Sequence, residues 1–250
     1  MHSYSLFPLL LACDEEGGWQ YTFLKGNKEI TPERPENIGK IDNPNYSFKC
    51  GSEVGKLMAD AHLQITISPV VDLKNDDDRY FSMYPDVIIR NVRKYIEGMH
   101  QQGVYASIKH FPGVGSGSRY DNLRPFIELK DVADLITIRD ELKYSIEIDG
   151  ENMQQYAVNQ LKFNGVFIME GPIPIYKVLD YIRDGYNLIW VEEAGDVNVS
   201  MVDDSLLAKI NANLVKVMRL KFPFKKFYST KSLKDTDLYK LKEIIERKFK

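Results

Sequence analysis

Gly103–Gly115, GVYASIKHFPGVG, decides how the rest of the chain reads. Val104, Tyr105, Ala106 and Ile108 make a short β-rich apolar run that Lys109-His110 closes. Phe111-Pro112-Gly113-Val114-Gly115 then imposes a loop, so the run reads as a buried strand delivering polar groups to its own carboxyl end. In parallel α/β architectures that end is where ligands sit. Lys109 and His110 are therefore candidate pocket residues.

Apolar runs and helical periodicities alternate outward from this strand. Before it, Leu6–Cys13 reads as a first strand running into Asp14-Glu15-Glu16-Gly17-Gly18, whose paired glycines permit a tight turn. Residues 19–48 carry Pro32, Pro35, Pro44 and several Asn and read as a long irregular loop. Val54, Leu57, Met58 and Ala61 predict a helix over Gly51–His62, and Gln64–Val71 a second strand, followed by Asp72, the acidic loop Asn75–Asp78 and Arg79. After Pro85, Ile88, Val92, Tyr95, Ile96 and Met99 mark the buried stripe of a helix for which Asp86 is a candidate cap.

Beyond the opening strand, Pro125–Asp131 reads as a helical or irregular link and Ala133–Ile138 as a fourth strand. Residues 151–162 suit a helix, Gly165–Met169 a fifth strand ending at Glu170-Gly171-Pro172, and Ile175, Val178, Leu179 and Ile182 a helix closing near Gly185. Asn187–Val191 is a sixth strand, Ser205–Leu220 an amphipathic helix and Thr230–Lys250 a basic surface helix. Most strands are near-continuous apolar runs, the mark of a parallel sheet buried on both faces. The expected architecture is α/β, a parallel sheet flanked by helices over residues 1–225, followed by a basic helical tail at 226–250.

The 250 residues, 44% hydrophobic and 28% charged, are ordinary for a globular chain with a real core. A net charge of −3 with scattered Lys and Arg argues against a nucleic-acid footprint, and no apolar run is long enough to span a bilayer. Two cysteines, Cys13 and Cys50, do not make a disulfide framework and fit a reducing compartment, so a cytoplasmic location is expected. LFPLLLAC at residues 6–13 has the look of a lipoprotein signal anchored at Cys13, but it lacks preceding basic residues and is short; a buried strand is the favoured reading. The four histidines show no metal-ligand spacing.

Polar residues collect at the strand ends: Asp14, Asp72, Lys109-His110, Arg139 and Glu170. Barrel strands face these ends to one mouth. Carboxylates accept from hydroxyls while Lys and Arg donate to ring and amide oxygens, which suits a polyhydroxylated or anionic ligand. Each residue has a plainer reading: Asp14 as a turn cap, Lys109 as a surface residue, His110 as a structural histidine, Glu170 as a solvated turn carboxylate.

PLLLACDEEGG, SPVVDLKNDDDRYFSMYP, GVYASIKHFPGVG and FNGVFIMEGP, in that order, resemble the N-terminal domain of glycoside hydrolase family 3, in particular its single-domain β-N-acetylglucosaminidases. The resemblance spans roughly residues 6–195 and is most specific at K-H-F-P-G. It implies that residues 1–225 form a (β/α)8-type, TIM-type barrel that needs no cofactor or metal and cleaves terminal β-linked N-acetylglucosamine, including in recycled cell-wall fragments. It also implies sugar-contacting roles for Asp14, Arg79, Lys109 and His110. The arginine that the family places just after E-G-G is absent; Trp19 and Thr22 stand there.

At the chemistry the chain departs from the family. The nucleophile, an Asp in the family, corresponds to Glu170, whose extra methylene moves the oxygen by more than about an ångström, a displacement that can cost about a hundredfold in rate. The family's Asp-Ser-His acid/base dyad has no counterpart in Val114–Tyr120, leaving Asp121 or His110 as substitutes. Loss of a positioned acid removes roughly 10²–10⁴ in rate. Weak or lost hydrolysis is expected, with a non-catalytic N-acetyl-sugar-binding or scaffolding protein as the rival reading, and a remnant unable to fold alone as a third.

Six strands where the family has eight predict an incomplete barrel, open at Leu6–Cys13 and Asn187–Val191. Residues outside this chain, a start placed earlier, or a partner chain or second copy would complete it.

Overall fold

The prolines that make residues 32–48 look irregular start helices instead. The computed structural model describes residues 10–18, 32–74, 79–140 and 152–221. Pro35 and Pro44 occupy the first turns of α1 (Pro35–Ile41) and α2 (Pro44–Asp60). The first helical position needs no N–H, and proline's fixed φ suits it. Asn43 caps α2, accepting from the Asn45 and Tyr46 amides at 3.0 and 3.3 Å. From residue 35 the expected loop is thus corrected to helix. Residues 6–9 of the first expected strand, 19–31 with Trp19 and Thr22, the acidic loop 75–78 and the tail 226–250 lie outside the described residues.

Six strands form one sheet: β1 (Ala12–Cys13), β2 (Ile65–Thr66), β3 (Tyr105–Ile108), β4 (Leu135–Arg139), β5 (Val166–Ile173) and β6 (Leu188–Val191), in the order β1-β2-β3-β4-β5-β6. All neighbours are parallel. A doubly wound sheet reverses its order at a switch point, whereas strands always added on the same side wind as a (β/α) barrel does. The fold is that barrel in incomplete form, a curled half-barrel whose edges among the described residues are β1 and β6.

The remaining helices are α3 (Pro85–Gln101), α4 (Arg119–Leu129), α5 (Met153–Asn159), α6 (Val178–Arg183) and α7 (Asp204–Lys221). The predicted stripe of α3 is in the core, with Ile88, Val92, Tyr95, Ile96 and Met99 all buried. Helices α2 and α3 pack close enough that a Cβ on Gly51 would sit 1.9 Å from the Tyr95 carbonyl oxygen, and one on Gly98 2.3 Å from that of Phe48. Only glycine fits there.

Several expected elements are corrected. Tyr84, not Asp86, stands at the start of α3, and Asp86 pairs with Arg124 of α4 at 2.6 Å. Of the helical or irregular link expected at Pro125–Asp131, the part to Leu129 is the end of α4, a helix that starts at Arg119 with Ser118 and Asp121 closing its capping box. The second strand is irregular after Thr66: Thr66 pairs with Ala106 and Val70 with Lys109, one residue more on this side, while the Ser68 and Pro69 carbonyls accept from the Ser107 and Lys109 amides at 3.0 and 3.2 Å. Strand β5 continues through Glu170 to Ile173 with an irregularity after Met169. Along α7 Leu206 is buried but Leu207 is exposed, as adjacent positions about 100° apart on a helix allow. The chain divides into two compact units, Met1–Val217 and Met218–Lys250; the sheet lies in the first, and of the second only residues 218–221 are described.

Candidate active site

Asp14 and Glu16 stand two residues apart in the extended chain leaving β1, where alternate side chains turn the same way. Both meet the Lys109 ammonium at the end of β3. Lys109 Nζ lies 2.7 and 2.9 Å from the Asp14 carboxylate oxygens and 2.5 Å from Glu16 Oε1. Lys109 is wholly buried and Glu16 is 1% exposed, while Asp14 remains 36% exposed. Burial pulls the Lys109 amine down, but the charges of Glu16, Asp14 and Glu170 outweigh it and hold it above the ordinary lysine value. Burial pushes the Glu16 carboxyl up, with Lys109 and Arg79 pulling against it. Arg79 reaches Glu16 from another side, its Nη1 3.3 and 3.4 Å from the two oxygens.

The DEEGG turn is stitched in place around these carboxylates. The Glu15 carbonyl accepts from Thr66 Oγ1 at 3.3 Å and Ser68 Oγ at 2.6 Å, and the Gly18 amide donates to the Pro32 carbonyl at 2.9 Å. Gly17 has φ +81°, and a Cβ there would lie 2.5 Å from the Glu33 carbonyl oxygen. Burial pushes the neighbouring Cys13 thiol up to about 12, with Glu15 and Asp14 adding to the shift, so it is no thiolate nucleophile.

One carboxylate sets the geometry of His110. Asp72 Oδ2 lies 2.6 Å from His110 Nδ1, while Oδ1 accepts from the His110 amide at 3.2 Å and the Val114 amide at 2.8 Å. Asp72 and His110 are both buried. With Nδ1–H donated to Asp72, the imidazole turns Nε2 away from it. That nitrogen is 3.7 Å from Glu170 Oε2, beyond hydrogen-bonding distance. Glu170 Oε2 is itself buried without a hydrogen-bond partner. A buried carboxylate oxygen in this state lacks a donor that a ligand hydroxyl can supply.

Strand register places Glu170 opposite Arg139 of β4. Asp14, Arg79, Lys109, His110 and Glu170 thus join one charged group at the carboxyl ends of the strands. Asp121 is not joined to it by any hydrogen bond or ion pair among the described residues. Its carboxylate accepts from Ser118 Oγ at 2.6 Å and the Ser118 amide at 3.3 Å, closing the capping box of α4. The intervening loop is tied down as well, with Ser116 donating to the Lys74 carbonyl through Oγ at 2.6 Å and its amide at 3.1 Å. Lys109, far from being a surface residue, is the most enclosed member of the group.

Glu16 escaped the sequence-based choice of site residues, and Asp72, placed there among the strand-end polar residues, was given no role. The alternation of Asp14 and Glu16 signals the first, and a lone acid closing the apolar run QITISPVV signals the second. Among the described residues no group of three or more His, Cys, Asp or Glu side chains is placed to hold a metal ion, and no helix is long and apolar enough to cross a membrane.

Fold and site together define an α/β half-barrel with a charged cluster at the carboxyl ends of its strands. Residues 2–125 match the model of the glycosyl hydrolase family 3 N-terminal domain. Among curated proteins, the chain is 34% identical over 113 residues to a β-hexosaminidase of Tolumonas auensis, covering 44% of this chain and 34% of the relative. It is 28% identical over 200 residues to a β-hexosaminidase of Idiomarina loihiensis, covering 74% of this chain and 53% of the relative. The chain therefore spans about a third to a half of the length of these relatives. The crystal structure of a β-N-acetylhexosaminidase from Beutenbergia cavernae shares the fold with a TM-score of 0.71 at 18% identity, over 86% of this chain and 78% of that one.

Proposed function

We propose that this chain holds a terminal β-linked N-acetylglucosamine residue at the carboxyl ends of its strands and hydrolyses its glycosidic bond weakly or not at all. Asp14, Arg79, Lys109 and His110 hold the sugar, and Glu170 takes the nucleophile position. The observation that carries this reading is the buried, unpartnered Glu170 Oε2 facing His110 Nε2 beside the Lys109 cluster. Carboxylates and imidazole suit hydroxyl groups, and a free carboxylate oxygen beside the pocket suits an anomeric carbon. The similarity to β-hexosaminidases supports the N-acetyl-sugar class, with cell-wall fragments in the cytoplasm as the setting.

Calorimetric titration with N-acetylglucosamine or a muropeptide tests the binding; no heat at millimolar ligand rejects it. A chromogenic β-N-acetylglucosaminide tests turnover, and turnover that survives Glu170→Gln unchanged removes the nucleophile assignment.

A second reading, a non-catalytic sugar-binding or scaffolding protein, is favoured by Asp121, whose carboxylate is committed to a helix cap rather than to a leaving group. Binding heat with no turnover from any β-N-acetylglucosaminide selects it. The open edges at β1 and β6 suit cover by a partner chain or a second copy; a monomer in sedimentation equilibrium rules out the second copy.

A further inference from the structure

We propose that Trp190 is a sugar-stacking residue, its indole lying against the face of the pyranose ring that is turned toward Glu170. The inference deepens the sugar-binding reading above and rests on it. Among the described residues four aromatic side chains are exposed, Tyr84, Tyr120, Tyr176 and Trp190, and of these Trp190 alone stands on a strand. Strand register assigns its face. Met169 of β5 is opposite Ile189 of β6; Met169 lies in the core cluster that holds the α3 stripe, and Ile189 packs against it. Side chains alternate along a strand, so Leu188 and Trp190 turn to the other face, the one that carries Ile168 and Glu170. Just past Glu170 the two strands come together, since a Cβ on Gly171 would lie 2.7 Å from the Trp190 carbonyl oxygen.

Trp190 is 47% exposed, because β6 is an edge strand among the described residues, and on the neighbouring strand Glu170 Oε2 is buried without a hydrogen-bond partner. An uncovered ring and a carboxylate oxygen in need of a donor thus share one face. The ligand that answers both is apolar on one side and carries hydroxyls at its edge, as a pyranose does. In a β-linked N-acetylglucosamine ring every substituent is equatorial, and the hydrogens of C1, C3 and C5 all point away from the face of the leaving oxygen. These C–H groups suit the negative face of an indole. A carboxylate that approaches the anomeric carbon opposite the leaving oxygen meets the same side of the sugar. Glu170 and Trp190 therefore belong on one side of the ring, which is where the strands put them.

The test follows the indole itself. N-acetylglucosamine should shift the tryptophan emission of the wild-type chain to the blue, saturating at the Kd that calorimetry gives, because the sugar displaces water from the ring. The shift should be absent from Trp190→Phe, which leaves Trp19 as the sole indole. Trp190→Leu keeps an apolar side chain on β6 but no flat ring; it should weaken binding roughly 3–10-fold, while Trp190→Phe stays within about threefold. The wild-type titration needs no change at Trp190, so it holds even where Trp190→Leu unfolds. Binding heat without a change in emission, or Trp190→Leu binding as tightly as wild type, overturns the inference and leaves the sugar reading standing. A blue shift that follows protein concentration instead of sugar assigns the ring to a second copy and overturns it as well. No binding heat with the wild-type chain overturns the sugar reading, and this inference with it.

Discussion

Asp72 and Asp121 bracket the same turn of chain from opposite ends, and they commit their carboxylates differently. Asp72 is buried and serves the site, holding His110 by ring and amide and the Val114 amide besides. Asp121 is partly exposed and serves the backbone, reciprocating with Ser118 to start α4. Both are aspartates beside a Gly- and Ser-rich loop, so residue type does not separate them. Burial and partners do: one carboxylate orders a side chain that faces Glu170, the other a helix end that faces solvent.

The contrast breaks most severely at the buried end. Lys109→Met leaves Glu16 buried beside Asp14 without its cation, and we expect a loss of about 3–5 kcal/mol in urea unfolding together with loss of sugar binding. Asp72→Ala removes three hydrogen bonds at once and should cost about 2–4 kcal/mol by the same measurement, with His110 released. At the exposed end, Ser118→Ala removes one cap and should cost only about 1 kcal/mol, with N-acetylglucosamine affinity unchanged. A loss as large as that of Asp72→Ala would erase the distinction between the two ends.

The smallest effect lies away from both. His100 Nε2 is 2.7 Å from Asp134 Oδ2, which also accepts the Ala106 amide of β3 at 2.9 Å. Burial pulls the His100 pKa down, but the hydrogen bond and charge of Asp134 outweigh it and raise it above the ordinary 6.5. A raised folded-state value means the pair stabilises fully below the unfolded value, near 6.5, and that this contribution is lost as pH rises through the folded one. Since His100 is 35% exposed, solvent screening limits the effect to under about 1 kcal/mol. Thermal unfolding at pH 5.5 and 8.5, with Asp134→Asn as control, should show the wild type alone losing this increment at the higher pH.

Much of the fold was legible along the chain. The six apolar runs and the α3 stripe follow from periodicity, because each is a local pattern of side-chain burial. Helix α1 and the first turns of α2, ahead of the stretch from Gly51 that periodicity marks, were not, since Pro35 and Pro44 signal a break and a helix start alike until Asn43 is seen capping. The Asp86 cap failed for a related reason: an acid in the first turn suits the helix dipole without capping, and Arg124 of α4 claims it instead.

From sequence alone come the parallel α/β architecture, its barrel-type winding and the polar residues at the strand ends. Tertiary structure alone decided which of those residues work together. Asp14 and Lys109 are 95 positions apart, and Asp72 and His110 are 38 apart. Their pairing depends on strand register and on the depth at which each charge is buried, quantities that no local pattern encodes. A buried ammonium must find carboxylates and a buried imidazole must find a fixed partner, so the fold, not the motif, settles which acid meets which base.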